Sequence, residues 1–285
     1  MWAVCARLSS SPSTSCIVVA RRAESSVVFA RKRFGQNFLY DPAVIAQIVE
    51  AVDPQPGESL VEIGPGRGAL TEPLLERCDQ LDAIEIDRDL AAELQQRLGA
   101  CGLTLHVCDA LKFDFATLAQ ARGRRLRVIG NLPYNVSTPL LFHLLDHRAS
   151  ILDLHVTLQR EVIERICATP GNGDYGRLTV MLAPWVTAEH LVDVSPGAFR
   201  PAPQVWSAVA RLTVRETPFF PVDARYARVV LAAFSQRRKT LRNALRSLLE
   251  ADTIAACEID PGARPETLSP EEFGRLARAV SEPLA

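Results

Sequence analysis

Between residues 59 and 158 the chain repeats one unit: a short run of Val, Ile and Leu, then a segment with helical spacing. The runs fall at 59–63, 81–86, 103–107, 126–129 and 154–158. Runs this short and this continuously apolar suit strands buried on both faces, which is the condition of a parallel sheet. Residues 42–52 and 88–98 have helical spacing, with Asp41 placed to cap a helix whose first turn holds Pro42. Thr138-Pro139 opens a further helix running through His147. Alternation of this kind predicts an α/β fold, a mostly parallel, doubly wound sheet with helices on both faces and right-handed crossovers.

Past residue 158 the pattern changes. A helix over 160–168 leads into a Pro-Gly-Asn-Gly turn at 170–173, and three apolar segments follow at 178–185, 190–194 and 208–214. The last two lie close enough to pair antiparallel at the sheet edge. Residues 217–221 read as a linker, and residues 223–285 as helices only. The expected organisation is therefore an N-terminal extension (1–30), an α/β domain (31–216) and a small helical domain (223–285).

A chain of 285 residues with 48% hydrophobic and 23% charged residues can bury a sizeable core. No run approaches the ~20 apolar residues of a membrane helix, so no membrane partner is expected. The net charge of -1 hides local patches: five cations (Arg237, Arg238, Lys239, Arg242, Arg246) and no acid lie between residues 234 and 246. Such a run suits either a solvated face or a phosphate contact. The seven cysteines are scattered without a CxxC pair, which reads as reduced thiols in a cytosolic protein. His143 and His147 are spaced for one helix face, but Leu144 stands where a zinc-protease motif needs Glu, and no metal is expected. The first 30 residues, rich in Ser and Arg, fit a dispensable tail, an organelle presequence or a misassigned start near Val27 or Val28. Arginine outnumbers lysine heavily, as GC-rich coding DNA produces, and a bacterial, cytoplasmic setting is the expectation.

Residues 61–69, Val-Glu-Ile-Gly-Pro-Gly-Arg-Gly-Ala, form a glycine-rich turn leaving a strand and entering a helix. Gly64 and Gly66 let the backbone turn sharply beside a ligand. Glu85 follows at the end of the second strand, where a carboxylate accepts from ribose hydroxyls. The loop alone fits a nicotinamide dinucleotide, S-adenosylmethionine or a plain tight turn. Asp109, at the end of the third strand and suited to an adenine amine, favours S-adenosylmethionine; its bland role is to cap the turn that follows.

Asn131-Leu132-Pro133-Tyr134 leaves the fourth strand on the edge where ligands of such sheets collect. An adenine amine is a poor nucleophile, because its lone pair is delocalised into the ring. Two acceptors on its two hydrogens, the side-chain oxygen of Asn131 and the backbone oxygen of Leu132, would turn that lone pair toward an incoming methyl. Pro133 stiffens the turn and has no N–H. Tyr134 offers a face on which an extruded base stacks. The same four residues also make an ordinary turn; their position after the fourth strand gives them meaning.

From about Arg31 onward the chain resembles the ribosomal RNA adenine dimethyltransferase family, and within it the bacterial small-subunit (kasugamycin-sensitivity) branch. The resemblance rests on the motifs at 33–39 (Arg-Phe-Gly-Gln-Asn-Phe-Leu) and 62–68, on Glu85 and Asp109, and on the motifs at 131–134, 158–162, 175–178 and 199–205. It implies a class I methyltransferase fold binding S-adenosylmethionine through Gln36, Asn37, Leu39, Gly64, Gly66, Glu85, Asp109 and Asn131. It further implies that Phe199 forms the second face of a base sandwich with Tyr134. The implied substrate is a pair of adjacent adenosines near the end of small-subunit rRNA, each dimethylated by a monomeric enzyme acting on the small ribosomal subunit. The segment 234–245 resembles the family's basic C-terminal helix, making Arg237, Arg238, Lys239, Arg242 and Arg246 the expected RNA contacts. The rivals are the related large-subunit methyltransferase of macrolide resistance, a non-catalytic RNA-binding assembly factor, and a dehydrogenase without recognisable hydride-transfer residues.

Overall fold

The structure, a computed structural model, describes residues 36–236 and 238–281. The strands are β1 (Phe38–Leu39), β2 (Ser59–Ile63), β3 (Leu81–Glu85), β4 (Leu103–Val107), β5 (Leu126–Asn131), β6 (Ile151–Gln159), β7 (Val186–Val194), β8 (Phe199–Arg200) and β9 (Ser207–Val214). The α/β part carries helices α1 (Pro42–Val52), α2 (Thr71–Leu75), α3 (Arg88–Leu98), α4 (Phe115–Arg122), α5 (Ser137–Asp146), α6 (Arg160–Cys167) and α7 (Arg177–Leu182). The C-terminal part adds α8 (Ala224–Phe234), α9 (Leu241–Ala244), α10 (Ala251–Ala256) and α11 (Pro270–Ala279).

Seven strands form the central sheet in the order β4-β3-β2-β5-β6-β9-β7. The first five are parallel, with Ile63 level with Ile84 on one side and Gly130 on the other. Successive residues of β2 and β5 face opposite layers. Leu60 and Ile129 join Ile48 of α1, Leu74 of α2 and Leu94 of α3. Val61 and Val128 join Phe115 of α4, Leu144 of α5 and Ile163 of α6. Burial on both faces is what makes these strands continuously apolar in sequence. The chain goes from β2 to β3 and β4 on one side, then returns to β5 and β6 on the other, so the carboxyl ends of β2 and β5 border a crevice.

Two expectations need correction, and one is borne out. The segment 178–185 folds mainly as α7, whose Val180 packs against Tyr226, Val229 and Phe273 of the C-terminal helices. The expected antiparallel pair at the sheet edge is present: β7 is the edge strand and β9 joins it to β6. The continuous basic helix over 234–245 does not form: α8 ends at Phe234, and a turn precedes the four-residue α9. The N–H groups of Leu241 and Arg242 donate to the carbonyls of Ala263 and Pro261. Those bonds to a distant loop pull the chain off the α8 axis. A small two-stranded sheet, β1 with β8, was not anticipated.

At the end of the sheet away from the crevice, Arg127 of β5 is nearly buried. Its guanidinium donates to both oxygens of Asp153 at 3.2 and 3.1 Å, to Glu58 at 2.6 Å and to the Val52 carbonyl at 2.7 Å. One cation thus joins β2, β5, β6 and the end of α1. Removing it leaves Asp153 buried without its counter-charge, which costs about 3–5 kcal/mol. Arg127→Ala is expected to lower the urea midpoint accordingly, and an unshifted midpoint would show the network to be dispensable.

Candidate active site

The glycine turn after β2 is shaped from within. Gly66 has φ 57°, which strains any other residue, and a Cβ there would stand 3.0 Å from the Phe38 ring, which would have to give way. Its N–H donates to Glu85 Oε2 at 3.2 Å, while Glu85 Oε1 accepts from the Asp87 N–H at 2.8 Å. The Gly64 N–H donates to the Ile84 carbonyl and that of Gly68 to the Pro65 carbonyl, each at 2.9 Å. These loop N–H groups are therefore engaged within the protein, unlike the phosphate-facing ones of a dinucleotide site. Burial raises the Glu85 carboxyl above its usual range, against the lowering effect of the two backbone donors.

Glu62, one residue before the end of β2, is buried and accepts from Thr71 Oγ at 2.6 Å. Burial pushes its carboxyl from 4.5 up to about 7; the Thr71 bond opposes this and the Glu85 charge adds to it. Asp109 follows β4 and caps the turn Ala110–Lys112, its Oδ1 accepting from the Leu111 N–H at 3.0 Å.

Asn131 ends β5. Its Nδ2 donates to the Asn37 carbonyl at 2.9 Å. A carbonyl can only accept, so this bond fixes which way the Asn131 amide points. Gly130 lets β5 approach β2, since a Cβ there would meet the Ile63 carbonyl at 2.8 Å. The Leu132 N–H donates to the Thr157 carbonyl at 3.2 Å. The Tyr134 hydroxyl meets Ser207 Oγ, at the start of β9, at 2.6 Å. Burial raises the tyrosine's pKa, against the opposing Ser207 bond, so it stays neutral.

One cavity of about 240 Å³ connects these groups. Its walls contain Gln36, Asn37, Leu39, Gly64, Gly66, Glu85, Asp109 and Asn131, together with Leu132, Pro133 and Tyr134. Glu62, Phe38 and Ile86 also line it and were not singled out in the sequence. Ile86 had a signal in standing next to Glu85, whereas Ser207 is connected to the site only by the fold. Phe199 is not in the cavity wall: in β8, opposite Leu39, it is 2% exposed and packed with Leu39 and Ile129. His143 and His147 stack with each other and with Phe115, and neither is in the cavity wall.

Residues 28–282 match the family model described as "Ribosomal RNA adenine dimethylase". The chain belongs to the ribosomal RNA adenine dimethylase family. The ribosomal RNA small subunit methyltransferase A of Pseudomonas aeruginosa is 53% identical over 256 residues, covering 89% of this chain and 95% of the relative. Two solved structures share the fold. A dimethyladenosine transferase from Plasmodium falciparum superposes with a TM-score of 0.73 at 24% identity, covering 84% of this chain and 95% of the other. The 23S rRNA methyltransferase ErmE gives 0.67 at 28% identity, covering 86% and 99%. The architecture is that of the class I, S-adenosylmethionine-dependent methyltransferases, and this dimethylase-family enzyme has the expected α/β class.

In this family member Arg238, Lys239, Arg242 and Arg246 are all exposed around α9, and Leu241 and Leu245 between them are buried. Arg237, the extension 1–30 and residues 33–35 of the N-terminal motif lie outside the described residues.

The raised Glu62 carboxyl carries a signed consequence. Between pH 4.5 and about 7 the folded protein holds a proton that the unfolded chain has released, so stability falls as pH rises through that window. Glu62→Gln is expected to match the wild type at the acidic end of the window and to be more stable above it, by roughly 3 kcal/mol. Denaturant titrations across pH would show this divergence, and parallel curves would place the ionisation elsewhere.

Proposed function

We propose that the protein transfers methyl groups from S-adenosylmethionine to the N6 amines of two adjacent adenosines near the 3′ end of small-subunit rRNA, giving N6,N6-dimethyladenosine during ribosome assembly. The observation that carries this reading is the amide of Asn131. With Nδ2 committed to the Asn37 carbonyl, Oδ1 is left as the acceptor for an incoming amine.

The cavity suits this cofactor. Glu85 and Asp109 give it an acidic lining, to which Glu62 adds charge above about pH 7. That lining complements a cationic ligand and opposes a diphosphate, and the engaged glycine N–H groups point the same way. Glu85 would take the ribose hydroxyls and Asp109 the adenine amine, with Gln36, Asn37, Leu39, Gly64 and Gly66 closing around the rest. When bound, S-adenosylmethionine supplies an electrophilic methyl on a sulfonium.

The protein's own work is positioning. Asn131 Oδ1 and the Leu132 carbonyl accept the two amine hydrogens, turning the nitrogen lone pair toward the methyl and stabilising the charge that grows there. Pro133, without an N–H, offers no competing donor. Tyr134, anchored through Ser207, gives the base a face to stack on. Once the new bond forms the amine proton is acidic and leaves to water, so no strong base is required. Phe199 completes a sandwich only by leaving its packed position in the core; Tyr134 alone faces the cavity in this conformation. Residues 223–285, with Arg237, Arg238, Lys239, Arg242 and Arg246, would hold the rRNA by its phosphates. The bacterial relatives support a cytoplasmic setting, and in this reading the enzyme works on the small subunit as a monomer.

Radiolabelled cofactor offered with under-methylated small and large subunits tests the reading. Label at two adjacent adenines of the small-subunit RNA, mapped by primer extension, is expected. Label in the large subunit alone would move the enzyme to that substrate, and RNA binding without label would make it an assembly factor. In this assay Asn131→Ala should lower kcat by about 10²–10³, with the fold intact by circular dichroism. Arg238→Glu combined with Arg242→Glu should weaken subunit binding and flatten its salt dependence while sparing cofactor affinity. Unchanged, salt-independent binding would remove these residues from the RNA path.

A further inference from the structure

Few large apolar side chains of the described residues are exposed, and three of them, Tyr40, Val205 and Trp206, flank the segments that build the cavity. Tyr40 is 45% and Trp206 48% exposed. Each ring is paired with a guanidinium: Arg200 Cζ is 4.3 Å from the Tyr40 centroid, and Arg160 Cζ is 5.9 Å from that of Trp206. Both pairs are held by the backbone next to the site. Tyr40 directly follows the cavity-lining β1, and its N–H donates to the Ala198 carbonyl at 3.0 Å. Arg200 stands opposite Phe38 in the β1–β8 pair. Trp206 precedes Ser207, the partner of the Tyr134 hydroxyl, and its carbonyl accepts the Arg160 N–H at 2.9 Å.

An exposed indole and an exposed phenol gain little from the core, so packing does not account for these rings. Flat π-faces alternating with cations are complementary to bases alternating with phosphates. We propose that Tyr40–Arg200 and Trp206–Arg160 form a stacking platform for single-stranded nucleotides flanking the target adenosine. This rests on the reading of the cavity as an RNA methylation site and assigns the RNA beside it. An extruded adenine must have its neighbours unstacked, and the platform replaces the stacking they lose. It tolerates any base, since every base has a π-face, and so supplies affinity and register without reading sequence.

Trp206→Ala, Tyr40→Ala and the double variant test this against a short single-stranded RNA spanning the target adenines and their flanks. Each single variant is expected to bind that RNA roughly 5- to 100-fold more weakly, the range set by loss of one stacked base. The rise in KM for under-methylated subunits should track this loss, while cofactor affinity by calorimetry stays within about twofold of wild type. Trp206→Phe and Tyr40→Phe keep a ring and should recover most of the binding, an outcome that lost folding or a displaced Tyr134 would not give. Alanine variants that bind the RNA as the wild type does would overturn the platform, including when they lose affinity for a small-subunit protein instead. Because binding is read without turnover, a wild type that fails to methylate the small subunit while the variants still lose RNA affinity would sink the methylation reading and leave the platform standing.

Discussion

β2 and β5 lie side by side in the sheet, yet the chain leaves them for opposite edges, and nearly every feature of the site follows from that reversal. Loops leaving neighbouring parallel strands on the same side would fill the space between them. Here the loop after β2 runs toward α2 and the loop after β5 toward α5, in the opposite layer, and a crevice is left between. Gly130 makes the closeness possible, because any side chain would collide with the Ile63 carbonyl. The glycine turn and the Asn131 turn are thereby brought to one cavity, although 67 residues separate Gly64 from Asn131 in sequence.

The electrostatics of the cavity sort its ligands. A glycine loop opening a helix is commonly an anion site, because its N–H groups face the ligand. In this protein the Gly66 N–H is turned onto Glu85, and α2 begins only at Thr71, five residues further on. The loop keeps the sharp turn of a nucleotide-binding motif but presents carboxylates in place of donors. Glu62 shows what this arrangement costs: a buried carboxyl beside a second one holds its proton up to about pH 7. Acidity retained against that cost makes sense when the ligand brings the compensating positive charge.

What was legible in the sequence was whatever local physics determines. The runs at 59–63 and 103–107 coincide with β2 and β4, and the helical spacing of 42–52 and 88–98 with α1 and α3, with Asp41 capping α1 as expected. The residues of the glycine and Asn131 turns were readable because motif and strand end coincide. The misreadings all involve tertiary partners. Segment 178–185 is apolar because Val180 serves the core of the C-terminal helices. The basic stretch from 234 looks like one helix until Ala263 and Pro261 claim its N–H groups. The burial of Phe199 was also beyond local reading: as part of β8 its ring packs with Leu39 and Ile129, and no spacing rule reports a pairing between two-residue strands.

Those short strands matter beyond their size. β1 places Asn37 where its carbonyl orients the Asn131 amide, lays Phe38 against Gly66, and hands on to Tyr40, while β8 supplies Arg200. On the other side of the turn, Ser207 ties Tyr134 to β9, one residue from Trp206. The Asn131–Tyr134 turn is therefore held between two attachments, each continuing outward into an exposed aromatic ring with an arginine beside it. RNA stacked on those rings would brace the same backbone that orients Asn131 and Tyr134. Binding energy from nucleotides beside the target would then serve positioning at the amine, the use of remote contacts that raises turnover rather than affinity alone.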